Sequence, residues 1–213
     1  MSISKQPQSF SGDEAAILQE LMNIAFGKAS ADLARVIDIR IVLNVPQVEL
    51  MQADGLLGRV REETRIYEAL SIIEQNFWGK FSGSALLAFP ASARKGLLSL
   101  FAEEPGERNP LLEKETLLEV GNILIGACVG KVAELLGDSV SFSPPRLNPH
   151  VLLHTLATEI VPAQLGGPDK GAILMKTVFQ FEDRDINGFL FLVANQDSMQ
   201  WLQTALRNFM AKF

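Results

Sequence analysis

The chain repeats itself, and the repeat restricts what it can fold into. Glu20-x-x-Asn23 is followed by Pro46, and Glu119-x-x-Asn122 by Pro145, so Glu, Asn and Pro all recur after 99 positions. Gly27 and Gly126, Ala34 and Ala133, and VPQV (45–48) and PPRL (144–147) keep the same spacing. Further along, the offset drifts to about 105, where SGSALLAF (82–89) aligns with NGFLFLVA (187–194). A drifting offset means loops of unequal length. Two copies of a unit that each leave a sheet face bare must cover one another. The expectation is one domain over residues 1–213, built from internal pseudo-repeats at about 13–104 and 111–213 and related by a pseudo-twofold axis.

Each half reads as a helix, then strands, then a helix. Ser11-x-x-Glu14 is a capping box, which starts the first helix near Gly12. Asn109-Pro110 gives its partner helix a cap and a first-turn proline. IDIRIVLNV (37–45) alternates and is β-branched, which predicts a strand. Residues 67–89 and 171–194 read as hairpins turning near WGKFSG and near 182–187, followed by amphipathic helices at 91–104 and 196–213. NPHVLLHTLATEI (148–160) reads as an extra helix, 162–171 as a loop, and 51–66 as a strand end and a charged loop. The fold class is therefore α+β, an antiparallel sheet with two long helices packed on one face.

On a helical wheel, Leu18, Met22, Ala25, Ala29, Leu33 and Val36 form one seam. Adding 99 gives Leu117, Gly121, Leu124, Cys128, Val132 and Leu135, again mostly apolar. Glu20/Asn23 and Glu119/Asn122 lie opposite those seams, each pair on neighbouring turns of an exposed face. Around them stand Ala16, Gly27, Ala31 and Ala34 in one helix, and Glu115, Gly126, Gly130 and Ala133 in the other. Exposed glycine costs a helix about 0.5–1 kcal/mol relative to alanine. Small residues let another surface approach and leave Glu and Asn as the projecting groups. The competing reading is that they let a neighbouring helix pack tightly.

Net charge is −6, with no basic cluster, which argues against nucleic acid or an anionic membrane as the main partner. No apolar run reads as long enough to cross a bilayer, and the polar first twelve residues do not read as a signal peptide. The default is a cytoplasmic protein without membrane insertion. The sole cysteine, Cys128, falls in the core seam and reads as an inert buried thiol. His150 and His154, four apart on the expected extra helix, lack an evident third ligand and read as ordinary residues. Phe77-Trp78 falls beside the first hairpin turn, packed under it or exposed to a partner.

Asparagine is no base at neutral pH, but its carboxamide both donates and accepts hydrogen bonds. It can hold a water in line with an electrophile that is already activated, as in phosphoryl transfer, where positioning and charge stabilisation dominate. Glutamate can pair with a partner's lysine or assist the water's proton.

These residues resemble the CheC family of chemotaxis phosphatases, in the CheC–CheX–FliY group. That family carries two copies of a motif with Asp or Ser, Glu four residues later, Asn three further and Pro 23 beyond the Asn. The matches are Glu20, Asn23 and Pro46, then Glu119, Asn122 and Pro145. LEVGNILIGACVGKVAELLG (118–137) is very similar to the second family helix, and QELMNIAFGKASADLARVI (19–37) is a looser match to the first. The resemblance covers nearly the whole chain.

It implies hydrolysis of the aspartyl phosphate of a CheY-like response regulator, with Asn23 and Asn122 positioning the water and Glu20 and Glu119 docking on the regulator. It implies no cofactor on this chain, the Mg²⁺ being the regulator's, and CheD as a possible further partner. The chain departs from the motif at Ala16 and Glu115, where the family has Asp or Ser, and at Met22 and Lys28, where it usually has Gly and Asn. The second site is therefore expected to be the stronger. The alternative is a non-catalytic module of the same fold that binds a regulator or CheD. A flagellar-switch domain like the middle part of FliM is a third reading, against which the retained pairs argue.

Overall fold

Ser11 caps the first helix as its spacing from Glu14 predicts. In the computed structural model, the Glu14 N–H donates to Ser11 Oγ at 3.2 Å and the Ser11 N–H to Glu14 Oε2 at 2.9 Å. The structure describes residues 11–37, 41–44, 47–65, 67–93, 96, 98, 110–152, 155, 171–181, 186–194 and 196–211. The buried Glu14 carboxylate also accepts from Arg207 Nε at 2.8 Å. The Ser11 N–H first, and Arg207 second, hold this carboxyl below its ordinary value near 4.5.

A carboxyl lowered in the folded state stabilises above its unfolded pKa, and that stabilisation is lost as pH falls through the folded pKa. Glu14→Gln is therefore expected to lower Tm at pH 7. The gap to wild type should close below pH ~4, where the wild-type carboxylate protonates too. Thermal unfolding of both proteins at pH 7 and at acid pH checks this, and a gap that stays constant would contradict it.

Helix α1 runs Gly12–Ile37, followed by β1 (Ile41–Leu43), β2 (Gln47–Gln52) and α2 (Ala53–Thr64). The first hairpin is β3 (Ala69–Trp78) and β4 (Gly83–Pro90), ending in a 3₁₀ turn at Ala91–Ala93. The second long helix, α3, is Pro110–Leu135, followed by β5 (Ser141–Phe142), β6 (Arg146–Leu152), β7 (Gly171–Phe181), β8 (Ile186–Ala194) and α4 (Gln196–Met210). Both hairpins and both long helices stand where the sequence places them.

Two secondary-structure expectations are corrected. Residues 146–152 form strand β6, not the start of a helix, and pair with β3, Val151 opposite Leu70 and Leu147 opposite Ile73. Residues 53–64 form helix α2, not a charged loop, held by Arg59, which pairs with Glu49 at 2.9 Å and Glu62 at 3.2 Å. Most of the helix expected at 91–104 beyond the 3₁₀ turn, residues 153, 154 and 156–160 of the expected extra helix, residues 162–170 of the loop expected at 162–171, and residues 38–40 and 45 of the first expected strand lie outside the described residues.

The strands form one antiparallel sheet in the order β1-β7-β8-β4-β3-β5, with β2 also pairing β7 and β6 also pairing β3. Its register carries the repeat. Leu43 and Gln47 face Phe179 and Lys176, and their mates 99 positions on, Phe142 and Arg146, face Phe77 and Glu74. From β3 to β7 the spacing is thus 102, and from β4 to β8 it is 105, since Ile72 faces Ala88 as Leu174 faces Val193. Leu86 pairs with Phe191, its own mate. In the helical layer, Asp32 Oδ2 meets Lys131 Nζ at 3.2 Å, again a residue and its mate. Both contacts join a residue to its own mate, as a pseudo-twofold relation between the halves requires.

Alternation in the strands supplies two apolar faces. Leu87, Phe89, Leu190 and Leu192 pack with Leu18, Met22, Ala25 and Phe26 of α1 and Leu117, Leu124, Cys128 and Val132 of α3. Both long helices thus cover one face. On the other face Ile72, Leu86, Leu174 and Phe191 form a second cluster, and Glu63 of α2 reaches Lys176 of β7 at 2.6 Å. Residues Glu113–Leu135 of α3 are, against expectation, long and apolar enough by length and composition to cross a membrane, although half of its most apolar 18-residue stretch is buried within the protein. Glu119, Asn122 and Lys131 interrupt the apolar letters, so reading for an unbroken run misses it.

Candidate functional site

The wheel places the Glu–Asn pairs away from the core, and the structure agrees. Glu20, Asn23, Glu119 and Asn122 are all exposed on the outer faces of α1 and α3. Neither Glu20 nor Glu119 forms an ion pair with a described residue. Among the described residues, then, no cation occupies either carboxylate. Ala16 and Glu115, at the departures from the motif, are exposed beside them.

The ground around the pairs is low. A Cβ built at Gly27, Gly126 or Gly130 would meet nothing within 4 Å, so none of the three serves a helix packed against it among the described residues. Ala133 departs from this pattern. The wheel puts it on the outer face, but it is 1% exposed. Gly121 belongs to the seam for a different reason. Its Cβ would lie 2.5 Å from Ile73 Cγ2, so α3 rests directly on strand β3 there.

That seating brings Asn122 to a polar group the sequence reading passed over. Gln75 of β3 is 1% exposed, and its Nε2 donates to Asn122 Oδ1 at 3.0 Å and to the Ser143 carbonyl at 2.9 Å. Ser143 is fixed in turn: its N–H donates to Asn76 O at 2.9 Å, and its Oγ accepts from the Asn76 N–H at 3.0 Å. Pro145 follows in the link from β5 to β6, so the distant proline of the motif borders the strand that contacts Asn122. Pro46 lies outside the described residues. A signal for Gln75 was present. It sits in ALSIIEQNFW at a register whose neighbours Ile73 and Phe77 face the helical layer, where an amide needs partners.

The remaining candidates settle simply. Cys128 is fully buried, and burial pushes its thiol up to about 12, leaving it unreactive. His150 is exposed on strand β6, so the helical i, i+4 geometry with His154 does not exist, and His154 itself lies outside the described residues. Phe77 is buried, while its neighbour Trp78 is 53% exposed.

No family model matches the chain. Solved structures do. FliY of Thermotoga maritima superposes with a TM-score of 0.70 at 18% identity, over 94% of this chain and 99% of that one. FliM in the FliM–SpeE complex of H. pylori gives 0.60 at 9% identity, over 94% and 97%. The FliM middle domain of Vibrio alginolyticus gives 0.57 at 14% identity, over 88% and 99%. At such identities the likeness is one of fold. The chain thus has the fold of FliY and of the FliM middle domain, which is the architecture implied by its resemblance to the CheC–CheX–FliY group.

Proposed function

We propose that the protein is a phosphatase acting on the aspartyl phosphate of a CheY-like response regulator in the cytoplasm. The observation that carries this reading is the pair of outward-facing Glu–Asn sets, each on a helix face kept low by small residues, with Asn122 already held by a hydrogen bond. Glu119 docks on a lysine of the regulator, and Asn122 enters its phosphorylated pocket and holds a water in line with phosphorus. Glu20 and Asn23 form the second, weaker set. The leaving group is the regulator's own aspartate, and the Mg²⁺ that neutralises developing charge belongs to the regulator, so this chain needs neither a nucleophile nor a metal.

The test mixes the protein with a phosphorylated CheY-like regulator and Mg²⁺ and follows loss of the acyl phosphate. Acceleration above the regulator's own hydrolysis supports the reading, and none with the cognate regulator sinks it. A second reading, a module that binds the regulator or CheD without chemistry, is favoured by the likeness to the FliM middle domain. Stable binding of the phosphorylated regulator without turnover would select it.

The low ground can be tested apart from the chemistry. Gly126→Leu adds a side chain where the structure leaves open space, and leucine is the better helix former by roughly 1 kcal/mol. It is expected to keep or raise Tm while raising KM for the phosphorylated regulator several-fold. An unchanged KM would mean that docking does not use this face of α3.

A further inference from the structure

We propose that Gln75 is a positioning residue for Asn122, and that it makes the second repeat the working site. This rests on the phosphatase reading for its kinetic consequence, but not for the tether itself. The Ser143 carbonyl can only accept, so the end of the Gln75 carboxamide facing it must be Nε2. That same nitrogen faces Asn122, whose near atom must therefore be Oδ1. Asn122 thus turns its Nδ2 hydrogens outward and keeps one Oδ1 lone pair free. An exposed asparagine without such a bond samples several rotamers. Here one is selected before any partner arrives, which lowers the ordering cost of the reactive complex.

The other repeat shows what the position needs for folding alone. The mate of Gln75, 102 residues on, is Thr177, and its Oγ1 donates to the carbonyl of Asn44, the mate of Ser143, at 2.7 Å. A hydroxyl has one hydrogen, already used there, and is too short to extend to Asn23. Asn23 makes no side-chain hydrogen bond to a described residue. A threonine therefore satisfies the strand-to-link contact. Glutamine adds only the reach to Asn122, and leaves its own Oε1 buried without a partner among the described residues. The helices differ in the same sense. Gly121 lets α3 rest on Ile73, beside Gln75, whereas its mate Met22 puts a fully buried side chain beneath α1.

The experiment uses Gln75→Thr, which installs the other repeat's residue and keeps a donor for Ser143. In an Asn23→Ala background, where only the second set acts, it is expected to lower kcat roughly 3- to 10-fold, the worth of one hydrogen bond, with KM unchanged. The effect should be non-additive with Asn122→Ala, as it must be if Gln75 acts through that residue. The tether is read independently from the side-chain amide signals in ¹⁵N-labelled protein: those of Asn122 should be ordered, those of Asn23 mobile, and Gln75→Thr should make Asn122 resemble Asn23.

A full rate in Gln75→Thr/Asn23→Ala, or equal mobility of the two asparagines in wild type, overturns the proposal. An ordered Asn122 in a protein that accelerates nothing supports the tether and overturns the phosphatase reading instead.

Discussion

Asn122→Ala is expected to remove most of the acceleration of regulator dephosphorylation, roughly ten- to a hundredfold in kcat, while Asn23→Ala costs only a few-fold. The size follows from what the carboxamide is asked to do. It supplies no proton and no electron pair, so its whole contribution is to hold a water on the line of attack, and alanine leaves that water to diffusion. The loss should fall on kcat with little change in KM, because Glu119 and the low face around Gly126 remain. It should also lower Tm slightly, because the buried Gln75 Nε2 loses one of its two acceptors, a bond worth about 0.5–1.5 kcal/mol. Single-turnover decay of the phosphorylated regulator at saturating protein measures the first quantity, and its concentration dependence the second. If Asn23→Ala/Asn122→Ala keeps the full rate, the chemistry does not run through either asparagine. If the two single variants lose equally, the inequality argued from Gln75 and Thr177 is wrong.

Much of the fold was legible because the signals were local or repeated. The capping box at Ser11 and Glu14 needs only residues three apart, and the hairpins announce themselves by apolar runs on either side of a short turn. The exposed Glu–Asn pairs follow from helical period alone. What failed was decided by partners far away in sequence. VLLHTL spaces its apolar residues as a helix would, yet Val151 and Leu152 are drawn into strand by Leu70 and Ala69 of β3. Pro149 is tolerated there because that pairing is irregular between Leu70 and Ile72, and its carbonyl accepts from Ser71 Oγ at 2.8 Å. Helix α2 carries two glycines and a charge run, and its support comes from Arg59 reaching back to Glu49 on β2. The tether on Asn122 joins residues 47 apart, and the anchor of Gln75 on Ser143 joins residues 68 apart. No window of sequence contains either.

Gly121→Ala is expected to destabilise the protein, and Gly126→Ala to stabilise it, although the two residues lie five apart in one helix. Both gain about 1 kcal/mol of helix propensity. At Gly126 nothing opposes the gain, since the added methyl meets nothing within 4 Å. At Gly121 it would lie 2.5 Å from Ile73 Cγ2 and 2.8 Å from Cδ1. Ile73 cannot yield. It is fully buried, stiff at its branched Cβ, and its backbone is paired to Leu87 on one side and Leu147 on the other. The helix must lift instead, and overpacking of this kind costs about 1–3 kcal/mol, which exceeds the propensity gain over most of that range. The net loss of up to about 2 kcal/mol corresponds to a Tm lower by up to roughly 4–8 °C in a chain of this size. Lifting α3 also draws Asn122 away from Gln75, so kcat should fall along with Tm, a pairing that Gly126→Ala would not produce. Thermal unfolding of both variants decides the first point, and the rate of regulator dephosphorylation the second. A Gly121→Ala protein as stable as Gly126→Ala would mean that α3 does not rest on Ile73, and the contact that sets Asn122 beside Gln75 would lose its basis.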